Sequence, residues 1–88
     1  MKRYNVECIY RGEEMIQNDE YRAIWSNYVG DYITADSPEE AIEIAIDCLV
    51  EMIDVPGGRV ESDEDTIRVY DIDDRMIEEY YDFQATCY

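Results

Sequence analysis

The stretch Ser37-Pro38-Glu39-Glu40-Ala41-Ile42-Glu43-Ile44-Ala45-Ile46-Asp47-Cys48-Leu49-Val50-Glu51-Met52-Ile53-Asp54 decides the fold. Ser37 is an N-cap residue, and Pro38 suits the first helical position, where no N–H is needed. Glu40, three residues after the cap, completes a capping box. Val55-Pro56-Gly57-Gly58 then stops the helix with two kinds of breaker. The spacing predicts one helix over about 38–54, roughly 25 Å long at 1.5 Å per residue. At 100° per residue from Ala41, the side chains of Ala45, Cys48, Leu49, Met52, Ile42 and Ile53 fall in an arc from about −20° to 120°, a core-facing stripe.

The opposite face of this helix is acidic. Glu40, Glu43, Asp47, Glu51 and Asp54 fall between about 200° and 280°. No Lys or Arg interrupts them, so no i,i+4 ion pair offsets their repulsion, a cost of a few tenths of a kcal/mol per pair. Asp54, at the C-terminal end, also opposes the helix macrodipole.

On either side of the helix the pattern changes to period two. From Arg3 to Arg11, Tyr4, Val6, Cys8 and Tyr10 alternate with Arg3, Asn5, Glu7 and Ile9, which predicts a strand. Gly12 to Glu20 reads as a loop or a broad hairpin connection. Aromatic and β-branched residues predict a second strand over about 27–35, with or without a shorter one before it. Gly30 suggests a bulge or a close backbone approach there. Trp25 is assigned to the core or to a sheet-edge anchor. After an acidic loop, Glu61–Asp65, a strand is predicted over Thr66–Ile72. Asp73-Asp74 marks a turn, and Arg75 to Glu79 suits either a helical turn or the start of a strand. Tyr80 to Tyr88 alternates again, with Tyr81, Phe83, Ala85 and Cys87 on one side. The predicted class is α+β. About four antiparallel strands in the order β-β-α-β-β form a sheet, with the one amphipathic helix packed on one face.

Eighty-eight residues, 47% of them apolar when the nine Tyr are counted, provide one modest core and one expected domain. Twenty-three Asp and Glu against seven Lys and Arg give a net charge of −16, and there is no His. The imbalance is local. Residues 36–82 hold seventeen acids and three bases (Arg59, Arg68, Arg75), whereas residues 1–35 hold six acids and four bases. This composition excludes imidazole catalysis and a basic patch for direct nucleic-acid binding. Ser26, Ser37 and Ser62 have no His partner, and no Gly-rich phosphate loop ends in a Lys. Catalysis, a cofactor and a bound metal are not expected. An EF-hand also fails, because Arg75 and Met76 interrupt the series begun by Asp71 and Asp73, and Ile67 that begun by Asp63 and Asp65. Cys8, Cys48 and Cys87 are odd in number and irregularly spaced, which reads as reduced thiols rather than a disulfide framework. Asn5 and Glu7 interrupt the N-terminal stretch, so a signal peptide is not expected. No apolar run approaches the ~20 residues of a membrane-spanning helix.

What remains is the charge. The plainer reading is a solvated surface that keeps the protein soluble. The sharper reading is a binding face for a basic partner, carried by Glu40, Glu43, Asp47, Glu51 and Asp54 and supported by Asp71, Asp73 and Asp74. The helix stripe alone offers one charge per roughly 5 Å, against one per ≈ 1.7 Å of duplex DNA. Approaching the duplex would require further acids, such as Asp63, Glu64, Asp65, Glu78, Glu79 and Asp82, on the same side.

Two resemblances bear on this choice. The opening Met1-Lys2-Arg3-Tyr4-Asn5-Val6 and the run from Tyr32 through Ala45 resemble small proteins of bacterial mobile elements, including the DpnD/PcfM-like group. Size and acidity resemble phage-encoded anti-CRISPR proteins and other DNA mimics. The second resemblance implies an inhibitor in the cytoplasm of a bacterial host. It would occupy the basic groove of a DNA- or RNA-binding protein such as a CRISPR effector, which reads DNA through Lys and Arg. The alternative is an interaction module without mimicry, a regulatory or antitoxin-like subunit that binds through its Tyr-bearing sheet or an edge strand.

Overall fold

The structure is a computed structural model that describes residues 1–12 and 32–88, together with the backbone of 23–26. The expected loop at 13–20, residues 27–31 with Gly30, and the side chain of Trp25 lie outside the described residues. In chain order the elements are β1 (Lys2–Gly12), β2 (Ala23–Ser26), β3 (Ile33–Ala35), α1 (Pro38–Met52), β4 (Arg59–Asp63), β5 (Thr66–Tyr70) and β6 (Met76–Cys87).

The class is α+β, and the strand pairs are all antiparallel. The sheet runs β2-β1-β6-β5-β4. β3 lies in line with β2 on the same edge of β1, pairing with Lys2–Tyr4 while β2 pairs with Glu7–Tyr10. The six described strands exceed the expected four for two reasons. The anticipated acidic loop at Glu61–Asp65 is instead half strand, because Arg59–Asp63 pairs with β5 and only Glu64-Asp65 turns the chain. Of the region expected as one strand over 27–35, the described residues Ile33–Ala35 form β3, with β2 as a shorter strand before it. Residues 76–79, left between helical turn and strand, belong to β6.

α1 starts as its cap dictates. Ser37 is extended (φ −147°, ψ 161°), and its Oγ accepts from the Glu40 N–H at 3.2 Å. The helix ends at Met52 rather than Asp54. The Ile53 N–H still donates to Leu49 O at 3.1 Å, but Ile53 itself is extended. Val55-Pro56-Gly57-Gly58 then forms a turn with Pro second, Gly57 third at φ +76°, and the Gly58 N–H donating to Val55 O at 2.9 Å. That is a type II turn, and its third position calls for Gly. At Gly58 the limit is space, since a Cβ would run into the carbonyl of Tyr70.

The core lies between α1 and one sheet face. Ala41, Ala45, Ile46 and Leu49 of α1 are buried, and α1 packs across β6, β3 and β1. The sheet supplies Tyr4, Val6 and Cys8 from β1, Ile33 and Ala35 from β3, Ile67 and Val69 from β5, and Tyr80 and Phe83 from β6. The predicted stripe holds at Ala41, Ala45 and Leu49, while Ile42, Cys48 and Ile53 are half-buried and Met52 is 60% exposed. Met52 occupies the last turn, and the buried arc is centred nearer Ile46 than expected.

A bulge corrects the reading of the C-terminal strand. The β1–β6 register shifts between Glu7 and Ile9, placing Asp82 and Phe83 opposite Cys8. Asp82 takes a left-handed conformation, φ +55°. Side-chain alternation is therefore interrupted, so Tyr80 rather than Tyr81 shares the core side with Phe83 and Ala85. Left-handed backbone costs a non-Gly residue roughly 1–2 kcal/mol, less for Asp. Asp82→Gly is expected to raise unfolding stability by about 1 kcal/mol in urea denaturation. Asp82→Asn, which removes only the charge, should give less. Equal effects of the two variants would place the gain in charge rather than backbone.

Candidate functional site

The predicted helix acids stand where their angular positions put them. Glu43, Asp47 and Glu51 are exposed on the face of α1 away from the sheet, Asp54 is exposed just beyond its end, and Glu40 is half-buried beside the cap. Among the described residues, no Lys or Arg lies within ion-pair distance of any of them. The last turn of α1 carries no basic residue. Its unpaired carbonyls therefore add to the negative potential at that end.

The bases are elsewhere. Alternation along the strands places Arg3 and Arg11 of β1, Arg59 of β4 and Arg68 of β5 on the sheet face that α1 does not cover. There they are engaged. Arg11 Nη1 donates to Glu79 Oε1 at 3.1 Å and Arg68 Nε to Glu79 Oε2 at 3.3 Å. This cross-strand triad spans β1, β6 and β5, and the Glu79 side chain is only 12% exposed. Arg59 pairs with Glu61 at 3.3 Å and with Asp74, and its guanidinium stacks 4.0 Å from the Tyr70 ring centroid. Arg3 lies 5.1 Å over the Tyr32 ring, and Tyr32 meets Tyr88 edge-on at 6.5 Å.

The three supporting acids sit in the turn between β5 and β6. This turn abuts the loop that follows α1, since a Cβ at Gly57 would meet the side chain of Ile72. The turn that holds Asp71, Asp73 and Asp74 thus adjoins the loop leading out of the helix. Asp71, however, organises its own turn. Its Oδ1 accepts from the backbone N–H groups of Asp73 at 2.9 Å and Arg75 at 3.0 Å, and its Oδ2 accepts from Arg75 Nε at 3.2 Å. With Asp74 on Arg59, Asp73 is the one of the three with no ion pair among the described residues. Of the further acids considered from the sequence, Asp63, Glu79 and Asp82 lie on the uncovered sheet face, away from the helix stripe. Glu78 does not follow them. It stands on the core-facing side of β6 beside Tyr80, whose hydroxyl donates to its Oε1 at 2.9 Å. A parity count back from Phe83 would miss it, because the bulge intervenes.

Among the described residues, no group of three or more His, Cys, Asp or Glu is placed to hold a metal ion, and no helix is long and apolar enough to cross a membrane. Cys8 is buried, and desolvation pushes its thiol up to about 11, away from nucleophilic use. The chain matches no protein-family model, and no curated protein or solved structure is significantly similar to it.

These contacts separate two kinds of acid. Glu79→Gln is expected to lower stability by about 1–2 kcal/mol, because it removes the little-exposed carboxylate that Arg11 and Arg68 share. Glu43→Gln, with the same change in charge, should raise stability by a few tenths of a kcal/mol by relieving like-charge repulsion. Urea midpoints of the two variants check this, and equal shifts would contradict it. Asp71 adds a pH dependence. The Arg75 N–H, followed by the Arg75 side chain and the Asp73 N–H, holds its carboxyl below the usual carboxylate range. A lowered folded-state pKa contributes stability above the unfolded pKa, about 3.9, and loses it as pH falls through the folded value. The stability gap between wild type and Asp71→Asn should be present at neutral pH and close under acid. A gap independent of pH would assign it to geometry alone.

Proposed function

We propose that the protein is an inhibitor that binds a nucleic-acid-binding protein through the acidic side formed by α1 and the adjoining turn. The partner on this reading is the basic groove of a DNA- or RNA-processing protein. An anti-CRISPR or similar phage anti-defence role is the specific form proposed. One observation carries the reading: the charges are segregated. The described arginines other than Arg75 lie on the sheet face that α1 does not cover, while Glu43, Asp47, Glu51 and Asp54 are exposed with no described Lys or Arg within ion-pair distance. A surface serving solubility alone would mix the signs.

The spacing of the stripe refines what is imitated. Within α1, Glu40, Glu43, Asp47 and Glu51 give one carboxylate per roughly 5 Å of helix. That is nearer the 3.4 Å rise per phosphate of one strand than the ≈ 1.7 Å of the duplex. The stripe therefore suits the track that one phosphate strand would follow through a groove. Association on this reading is electrostatically steered, fast at low salt and slower as salt rises.

A second reading rests on a different place. Arg3, Tyr32 and Tyr88 form an exposed aromatic corner at one end of the sheet, the kind of surface enriched in protein interfaces. A regulatory or antitoxin-like module using that corner would bind independently of the helix acids.

The test combines charge reversal with salt. Glu43→Lys with Asp47→Lys is expected to abolish capture of a DNA- or RNA-processing protein from nuclease-treated bacterial lysate, and to abolish inhibition of that protein's nucleic-acid binding. The wild-type complex should elute at intermediate salt. Circular dichroism establishes that the double variant is folded. Inhibition retained by a folded double variant would overturn the proposal. A complex that survives ~0.5 M salt, where the Debye length is only a few Å, would favour the aromatic corner.

A further inference from the structure

Beneath the C-terminal end of α1 the core opens into a cleft of about 240 Å³. Leu49, Met52, Ile53 and Val55 form its apolar wall, and Tyr80 lies on the sheet side. Two carboxylates, Asp54 and Glu78, complete the lining. The position of Glu78 is unusual for a charged side chain. It stands opposite Val69 of β5 and shares its side of β6 with buried Tyr80. The Tyr80 hydroxyl bond holds it in place. Among the described residues, neither Glu78 nor Asp54 has a Lys or Arg within ion-pair distance. Arg11, Arg68, Arg59 and Arg75 are engaged with Glu79, Glu61, Asp74 and Asp71.

The shape and chemistry restrict what fits. The volume is below the ~300–1,000 Å³ of small-molecule and cofactor sites, so it suits a single side chain. The wall is apolar and the polar lining is anionic, next to the helix carbonyls with their negative potential. An occupant complementary to both has an aliphatic stem and a cationic head, which describes Lys and Arg. A planar guanidinium presents several donors in a fixed fork and can serve two carboxylates together, where an ammonium acts as a point charge.

We propose that this cleft receives one arginine side chain of the basic partner, anchoring a contact that the helix stripe steers. The proposal rests on the reading of the acidic side as a protein-binding surface and names the anchor within it. The stem lies against Leu49, Met52 and Val55, and the guanidinium meets Glu78 and Asp54.

The experiment uses the full chain, labelled with ¹⁵N, and a small probe. N-acetyl-arginine N-methylamide is titrated at low salt, with N-acetyl-norleucine N-methylamide as the uncharged control. The arginine probe is expected to shift the amides of residues 49–55 and 78–80 saturably, and the control to shift them much less. Glu78→Gln keeps an acceptor for Tyr80, and Asp54→Asn changes an exposed side chain, so both variants should fold. Each is expected to weaken binding of the probe by about threefold or more, and Asp63→Asn, the same charge change at an exposed β4 position away from the stripe, to leave it unchanged. Shifts spread along residues 40–47, absence of saturation, or equal weakening by Asp63→Asn would overturn the anchor. A cleft that ignores the probe while the Glu43/Asp47 double variant loses its partner removes the anchor alone. A probe bound in the cleft by a protein whose inhibition survives charge reversal removes the acidic-stripe reading alone.

Discussion

The fold depends on one helix covering one face of the sheet. α1 brings four buried residues to this contact, and two of them are alanines, Ala41 and Ala45. Small side chains there let the helix lie close to β3 and β6, where Ala35 and Phe83 receive it. Leu49 and Ile46 supply most of the helix's apolar area, each worth about 1.5–3 kcal/mol on burial. No second described helix covers the other face. That face carries paired charges. Arg11, Glu79 and Arg68 run across three strands with Ile9 and Tyr81 beside them. The bases are therefore committed to the sheet by architecture, which leaves the solvent face of α1 to the acids.

The bulge at Asp82 sets the rest of the geometry. β6 is the longest strand and joins β1 to β5. Phe83 and Ala85 face the helix on one side of the bulge, and Glu78 and Tyr80 face it on the other. Strict alternation from Phe83 would turn Glu78 and Tyr80 to the uncovered face and Glu79 toward the core. One extra residue thus decides that Glu79 serves the arginine triad and that Glu78 lines the cleft. The left-handed backbone at Asp82 is the local cost of that arrangement.

The helix was legible in the sequence because its signals are local. Ser37, Pro38 and Gly57 act within a few residues of where they stand, and the acidic stripe follows from the same periodicity. β1 was legible for a similar reason, since Tyr4, Val6 and Cys8 alternate without interruption. β4 was not, because Arg59-Val60-Glu61-Ser62-Asp63 carries one apolar residue and owes its extended form to pairing with β5. The bulge was hidden as well. Tyr80 and Tyr81 are the same residue type, so either could continue the alternation, and only the register against β1 separates them. For the site, the stripe could be read from one helix. The roles of Asp71, Asp74, Glu78 and Glu79 depend on which strands meet, and that information lies far apart in the chain.

Placement, more than abundance, is what distinguishes this charge. A net charge of −16 on 88 residues opposes folding by self-repulsion wherever the acids sit. Interspersing the available arginines along α1 would reduce that cost at the i,i+4 spacing. Instead the arginines neutralise the acids that the strands and turns require, as Glu79 and Asp71 show. The helix acids receive no such compensation, and the stripe runs into Asp54 at the end where the macrodipole already disfavours it. The cleft with Glu78 opens at that same end. Asp54 and Glu78, with no described ion pair, therefore line a cleft whose walls are apolar. A cationic side chain brought from outside would relieve the unfavourable dipole contact, the like-charge repulsion and the open apolar wall together. No residue described within the chain does all three.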